Sequence, residues 1–368
     1  MSNFKVIFTL KQHTPIIHFQ SFQSGATLRA SELKPKFDKF LLEQVSNLPV
    51  KINANGHRSL DYKVKIESNG IKQEYLYKTY IIKTERGNKK LKEGSYFGDF
   101  KAIQYDNIKI EFFSFDTSIL NAIKEHFIDF INITNFGARQ NKGFGSFEVI
   151  KKDNKPINND IKNSILKYYP AIYTKHSKDP LKTILEDYQL LKSGKSNPTY
   201  KKSLLFQYMC DNEIRWEKRM IKHYMKKDYK DTFAQLKYEK EPITCDNEND
   251  NYTFQYIRGL LGIAEQIEFL KVAPVNHKDK IVIKIKSSND IERFQSPITY
   301  KVIDNTIYLL ATNNISVRGK KFEFSIKGKE NTNKKGILNE AIEIPQEFDI
   351  FEFLDFANNT LKYTKVTQ

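Results

Sequence analysis

The chain is poor in cysteine and histidine, and it has no long apolar run. Cys210 and Cys245 are its only cysteines, far apart and without a Cys or His neighbour at metal-ligand spacing. That spacing indicates neither a disulfide framework nor a zinc site, and it fits a reducing cytoplasm. No stretch approaches the roughly eighteen apolar residues that span a bilayer, and the opening MSNFKVIFTLKQHTP lacks the basic-then-apolar layout of a secretory leader. Neither export nor a membrane partner is expected. Paired carboxylates in a metal-binding motif are also missing: Asp61, Asp99 and Asp106 are scattered acids of the kind that form turns. No metal or cofactor is expected. Acidic residues are in deficit, 44 against 60 Lys plus Arg, for a formal net charge of +16. Such an excess favours a polyanionic partner, with a lysine-rich coding bias as the plain alternative.

What is present is core material: 39% of the 368 residues are hydrophobic, with 27 Phe and 20 Tyr. A chain this long is expected to build two cores. Phe4, Val6, Phe8 and Leu10 alternate with Lys5, Ile7 and Thr9, the period-two pattern of a strand buried on one face. His13-Thr14-Pro15 ends it. SELKPKFDKFLLEQ then predicts a helix over residues 32–45, capped by Ser31 and carrying Leu33, Phe37, Phe40 and Leu41 at helical spacing, with Pro35 early enough to be tolerated. DYKVKIE and YLYKTYIIKT read as two strands about Asn69-Gly70, followed by a glycine- and lysine-rich bulge over 87–98 and the strand NIKIEFFS. Asp116 caps a helix that places Ile119, Ile123, Phe127, Phe130 and Ile131 on one face, and SFEVIK closes the series as a strand. The order is the split βαβ plan of a ferredoxin-like, or RRM-like, domain with an inserted hairpin.

KDNKPINNDIKN reads as a linker, and residues 181–240 as mostly helical. In EIRWEKRMIKHYMKKDYKDTF, Ile214, Ile221, Met225 and Tyr229 line one side while Lys and Arg crowd the other, either a solvated face or an RNA contact. Beyond the acidic CDNENDN, TFQYIRGLLGIAEQIEF predicts a helix broken near Gly259 and Gly262. KIVIKIKS, ITYKVI, TIYLLAT and KFEFSIK are strands, Asp304-Asn305 is a hairpin turn, and FDIFEFLDFANNTL is a closing helix. The expected architecture is therefore α+β: a ferredoxin-like domain at 1–152, a linker and mainly helical region at 153–250, and a second ferredoxin-like domain at 251–368.

Only 15 glycines occur, yet three fall within NFGARQNKGFGSF. Gly137, Gly143 and Gly145 follow a helix and open a strand, the reverse of a dinucleotide fingerprint, and no Gly-Lys-Ser/Thr ending marks a P-loop. Two readings remain. The glycines serve a tight turn, or they let backbone N–H groups approach phosphates while Arg139 and Lys142 supply charge, Gln140 and Asn141 supply directed hydrogen bonds, and Phe144 packs inward or stacks on a base.

GARQNKGFGSF between the last helix and last strand of such a domain resembles the glycine-rich loop of the RAMP superfamily, the RNA-binding proteins of CRISPR systems. Within it, the loop looks most like that of the first subunit of the Cmr, or type III-B, complex. FTLKQHTPII followed by TLRASELKPKFDKFL resembles that subunit's opening strand and helix start, with Arg29, Leu33 and Lys34 on matching positions, and IERFQSPITYKV resembles a late strand, with Arg293, Ser296 and Pro297 matching. Where the family has Ser, Gly and Arg along the first helix, this chain has Glu32, Pro35 and Asp38. The resemblance implies a noncatalytic RNA-binding subunit of an antiviral effector. Arg29, Lys34, Lys36, Arg139, Lys142 and Arg293 would face guide or target RNA, near the far end of the guide filament, with other Cmr-type subunits as partners. The rival is a RAMP endoribonuclease that cleaves CRISPR repeat RNA without metal, using His13 or His18, with His57 behind them, as general base. A third reading is a general basic binder of RNA or of an anionic membrane surface.

Overall fold

The computed structural model describes residues 4–17, 27–75, 79–84, 87–92, 102–195, 201–236, 253–271, 280–287, 294, 296–327 and 341–367. His18, Asp99, Cys245 and Arg293 lie outside the described residues. The chain forms two compact units: residues 1–185, 299–310 and 363–368 make one, and residues 186–298 and 311–362 make the other.

The first unit opens with β1 (Lys5–Gln12), whose Val6, Phe8 and Leu10 point into the core as the alternation predicts, joined by Gln12; Phe4, expected on the same buried face, precedes the strand and is exposed. Helix α1 (Ala30–Gln44) follows, two residues earlier than expected; its N-cap is Arg29, not Ser31, and Pro35 falls in the second turn. Next come β2 (Lys63–Tyr75) and β3 (Ala102–Phe113), antiparallel along their length. Asn69-Gly70 does not break β2 as expected. Gly70 takes a φ of +69° within the strand, and the register shifts just beyond, between Ile71 and Gln73, so a bulge absorbs the conformation that a turn was expected to use. The hairpin lies further on, between Thr79–Thr84 and Gly87–Lys92.

Asp116 caps α2 (Thr117–Ile133) as its sequence predicts, its carboxylate accepting from Ser118 N (2.8 Å) and Ile119 N (3.1 Å). β4 (Phe147–Lys152) completes a sheet of order β2-β3-β1-β4, extended by Lys155–Pro156, with every pair antiparallel. That is the spatial order of a split βαβ domain. Its core is aromatic: Phe8 meets Phe127 at 4.6 Å between ring centroids, Phe112 meets Phe127 at 4.8 Å, and Phe37 meets Phe130 at 4.8 Å. Phe112 and Phe127 meet edge to face and the other two pairs are tilted; aromatic pairs at such separations add about 0.5–1.5 kcal/mol each beyond their buried area.

The next strand is one the sequence reading missed. β5 (Ala171–His176), inside the expected linker and helical region, is followed by α3 (Pro180–Lys192), then much later by β6 (Ile298–Ile303), β7 (Thr306–Ala311), α4 (Ile350–Leu361) and β8 (Thr364–Thr367). These strands form a second sheet of order β6-β7-β5-β8. In chain order and in strand order it repeats the first. The second βαβ plan therefore begins at Ala171, not near residue 251, and the region between α3 and β6 is an insertion within it.

That insertion, with residues 311–362, makes up the second unit. Gln266–Leu270, Lys280–Ser287, Lys321–Ile326 and Ile342–Glu343 form an antiparallel sheet on which Tyr256 packs edge-on against Phe322 and Phe324, at 5.4 Å each. The expected broken helix over 253–269 is instead a strand Thr253–Gln255, a short 3-10 turn Ile257–Leu261 and the strand Gln266–Leu270. The basic helix begins at Glu217, because Ile214–Trp216 pairs in parallel with Thr253–Gln255. Cys210 is disulfide-bonded, where spacing gave no reason to expect a bridge.

Candidate nucleic-acid interface

The glycine-rich loop joins α2 to β4, and each glycine answers first to its own chain. Gly145 has a φ of +66°, and a Cβ there would fall on the carbonyl oxygen of Phe136. At Gly143, φ +81°, a Cβ would sit 2.7 Å from Ile184 Cδ1 and 3.2 Å from Val302 Cγ2, between α3 and β6. Gly137, φ +82°, presses against Ile17 O in the same way, with 2.6 Å to an added Cβ. Side chains are absent because protein, not ligand, occupies the space.

The backbone donors are committed as well. Gly137 N–H donates to Glu32 Oε1 (2.8 Å), Ala138 N–H to Ile17 O (2.7 Å), Gly145 N–H to Pro15 O (2.9 Å) and Ser146 N–H to Thr14 Oγ1 (2.9 Å). Lys142 N–H closes a turn on Arg139 O (2.8 Å), and Gly143 N–H on Gln140 O (3.2 Å). The N–H groups of the three glycines are therefore not available as a phosphate cradle, which corrects the second sequence reading at those positions.

What the loop holds is β6, the edge strand of the second sheet. Tyr300 N–H donates to Asn141 O (3.1 Å), Asn135 Nδ2 to Tyr300 O (2.7 Å), and Val302 N–H to Ser146 Oγ (3.1 Å). From the strand, the wholly buried Lys301 reaches back to the last turn of α2, donating to Ile131 O (2.6 Å) and Thr134 O (2.9 Å). An exposed strand edge is a liability, and the loop covers this one.

The side chains proposed for the site separate into groups. Arg139, Gln140, Asn141 and Lys142 share the outer turn of the loop, all part-exposed, and Arg139 has a φ of +56°. Burial, and then the positive charge of Arg139, lower the pKa of Lys142. Phe144 is half-buried beside them. Lys36 stands behind the turn with its ammonium engaged by Gln140 Oε1 (2.7 Å), Glu32 Oε1 (2.9 Å) and Asn135 O (3.2 Å), and it lies 5.0 Å from the Phe136 ring centre. Three donors and three acceptors make it a brace for the loop. Lys34 does not join them: it donates to Asp38 Oδ2 (2.7 Å) and Leu60 O (2.8 Å) over the Tyr62 ring. Arg29 is the N-cap residue of α1.

Sequence reasoning missed Thr14, Glu32, Asn135, Ser146, Tyr300 and Lys301, which build the seam. Glu32, seen only as a departure from the family pattern, is the acceptor that ties α1 to Gly137.

His13 is 2% exposed in its side chain and fully engaged. Its Nδ1 accepts from Asp304 N–H (2.9 Å), which places the proton on Nε2, facing Glu148 Oε2 at 3.1 Å. It has no free nitrogen to act as a base. His57 is exposed in the hairpin formed by Val50–Ile52 and Arg58–Leu60. Among the described residues no group of three or more His, Cys, Asp or Glu could hold a metal ion, and no helix is long and apolar enough to cross a membrane.

The model of the Cmr1 N-terminal domain matches residues 3–195, and that of the Cmr1 C-terminal domain matches residues 200–367. The chain belongs to the Cmr1 family. No curated protein matches it. Among solved structures, a Cmr1 from Pyrococcus furiosus in its apo form is 9% identical and aligns over 98% of both chains, with a TM-score of 0.36. A chain of a type III-B Cmr-beta complex bound to cognate target RNA is 14% identical, covering 41% of this chain and 60% of that one, with a TM-score of 0.30. The assignment to Cmr1 rests on the two family models, which meet between residues 195 and 200, inside the insertion.

Proposed function

We propose that this Cmr1-family chain is a noncatalytic RNA-binding subunit of a type III-B CRISPR effector complex, contacting guide or target RNA beside other Cmr subunits. The observation that carries the reading is the outer turn of the glycine-rich loop. The fold holds Arg139 in a left-handed conformation next to a partly buried Lys142, so that each cation makes the other less favourable. A phosphate against that turn relieves both costs through charge-assisted hydrogen bonds. The net charge of +16 draws a polyanion toward it. The engaged, buried state of His13 supports the noncatalytic half of the reading.

Arg139→Asn tests it, because asparagine tolerates a positive φ and carries no charge. The variant is expected to melt like the parent and to bind single-stranded RNA about tenfold more weakly, roughly 1.4 kcal/mol, with a salt slope shallower by about 0.7 per phosphate lost. Unchanged RNA affinity and slope would remove the loop from the interface. Repeat RNA is expected to stay intact with or without divalent metal. Site-specific cleavage that disappears in His13→Ala would hand the function to the endoribonuclease reading.

A further inference from the structure

The corner of the first sheet where β1 begins and β3 ends displays aromatic rings to solvent. Phe115 is 78% exposed and Phe4 is 41% exposed, with ring centroids 5.7 Å apart. Phe113 meets Phe115 edge to face at 4.9 Å. The backbone that carries Phe115 is pinned: Ser114 N–H donates to Phe4 O (3.1 Å) and its hydroxyl to Asp61 O (2.8 Å). The backbone beside Phe115 is thus fixed while most of the ring's surface faces water.

Cations flank it. Phe113 lies directly opposite Lys5 of β1 on one side and Lys63 of β2 on the other, so the three side chains share the outer face of the sheet. The next rows on that face carry Lys65, Glu111 and Ile7, then Glu67, Lys109 and Thr9. Its anions are occupied, Glu111 by Lys5 at 3.5 Å and Glu67 by Lys65 at 2.6 Å, and Asp116 beside Phe115 spends its carboxylate on the α2 cap. Four lysines against two glutamates leave the face positive.

We propose that this corner is a base-stacking site for single-stranded RNA, with one unpaired base on the Phe115 ring and the adjoining phosphates on Lys5 and Lys63. It rests on the RNA-binding reading above, but it uses residues remote in sequence from the glycine-rich loop. A protein partner is the poorer occupant: a stable interface needs about 800 Å² per side with charge depleted at its centre, whereas three rings bordered by lysines offer a foothold for one or two bases. Every base has a π-face, so stacking here is tolerant of sequence and strengthens binding about tenfold or more per base.

The test is binding of a single-stranded oligoribonucleotide carrying 2-aminopurine, whose fluorescence is quenched on stacking. Phe115→Ala and Phe115→Leu, both at an exposed position, are expected to melt like the parent, bind about tenfold more weakly with the parent's salt slope, and lose the quenching. Phe115→Trp is expected to restore it. If the parent binds RNA and Phe115→Ala binds equally well with quenching intact, this inference falls and the function proposed above stands. If the parent binds no RNA, both fall. A Phe115→Ala chain that keeps its RNA affinity but no longer assembles with Cmr subunits marks the corner as a protein contact and overturns the proposal.

Discussion

Gly145→Ala separates steric demand from ligand demand in the loop, provided that it is read against Gly56→Ala. Both glycines have positive φ, +66° and +76°, so both substitutions force alanine into the left-handed region. The difference is space: nothing lies within 4 Å of an added Cβ at Gly56, whereas at Gly145 it lands on the Phe136 carbonyl. Left-handed alanine costs about 1–2 kcal/mol, offset by about 0.4–1 kcal/mol from a stiffer unfolded chain, so Gly56→Ala is expected to lose under about 1.5 kcal/mol. Gly145→Ala carries the same strain and must also move the Phe136 backbone. That shift disturbs the bonds Phe136 N–H to Gly145 O (3.0 Å) and Gly145 N–H to Pro15 O (2.9 Å). Each is worth about 0.5–1.5 kcal/mol, and the residual clash brings the total to roughly 3–4 kcal/mol. Urea unfolding at matched slope gives the comparison directly. Equal losses in the two variants would refute the steric account and return the glycines to a ligand role.

Lys36→Met is expected to lower stability by about 1–3 kcal/mol and to weaken RNA binding by loosening Gln140, with the salt slope unchanged; a slope shallower by about 0.7 would make Lys36 a phosphate contact instead of a brace. Lys301 predicts a pH dependence: burial lowers its pKa from 10.5 to about 7. The unfolded chain keeps that proton over the interval, so stability rises from about pH 7 to about pH 10.5, by up to roughly 5 kcal/mol, and is flat in this contribution below pH 7. Lys301→Met should flatten that part of the curve, and an unaltered pH profile in the variant would refute the assignment.

Both βαβ plans were present in the sequence, but only the first was continuous enough to read. In residues 1–152 each signal is local: the alternation in β1, the Asp116 cap and the apolar face of α2 all act within a few residues. The second plan is interrupted after α3 by more than one hundred residues before β6 resumes it. β5 carries only AIYTKH, directly after a proline, and its pairing partners are distant, with Ile172 opposite Leu310. A six-residue strand whose partners lie that far away leaves no local periodicity to detect. The helix expected over 253–269 failed for a related reason. Apolar residues at mixed spacing fit either period, and pairing of Thr253–Gln255 with Ile214–Trp216 decided for strand.

The loop posed a harder problem, because a glycine required by a left-handed backbone and a glycine required by a nearby phosphate leave the same letter in the sequence. Only the position of Phe136 O, Ile17 O and Val302 separates them, and those atoms assign the glycines to the fold. The cations follow the opposite logic. Among the described non-glycine residues with positive φ, Asn47, Asp153, Asn154 and Asp304 are the types that bear it easily, while Lys362, the C-cap of α4, and Glu213, directly after the C-cap Asn212 of the helix Leu204–Asp211, sit at helix ends. Arg139 belongs to neither group. A glycine or asparagine at that position would relax the turn by about 1 kcal/mol. An arginine kept there at that cost, on the part-exposed outer turn of the loop, has its use in the guanidinium itself.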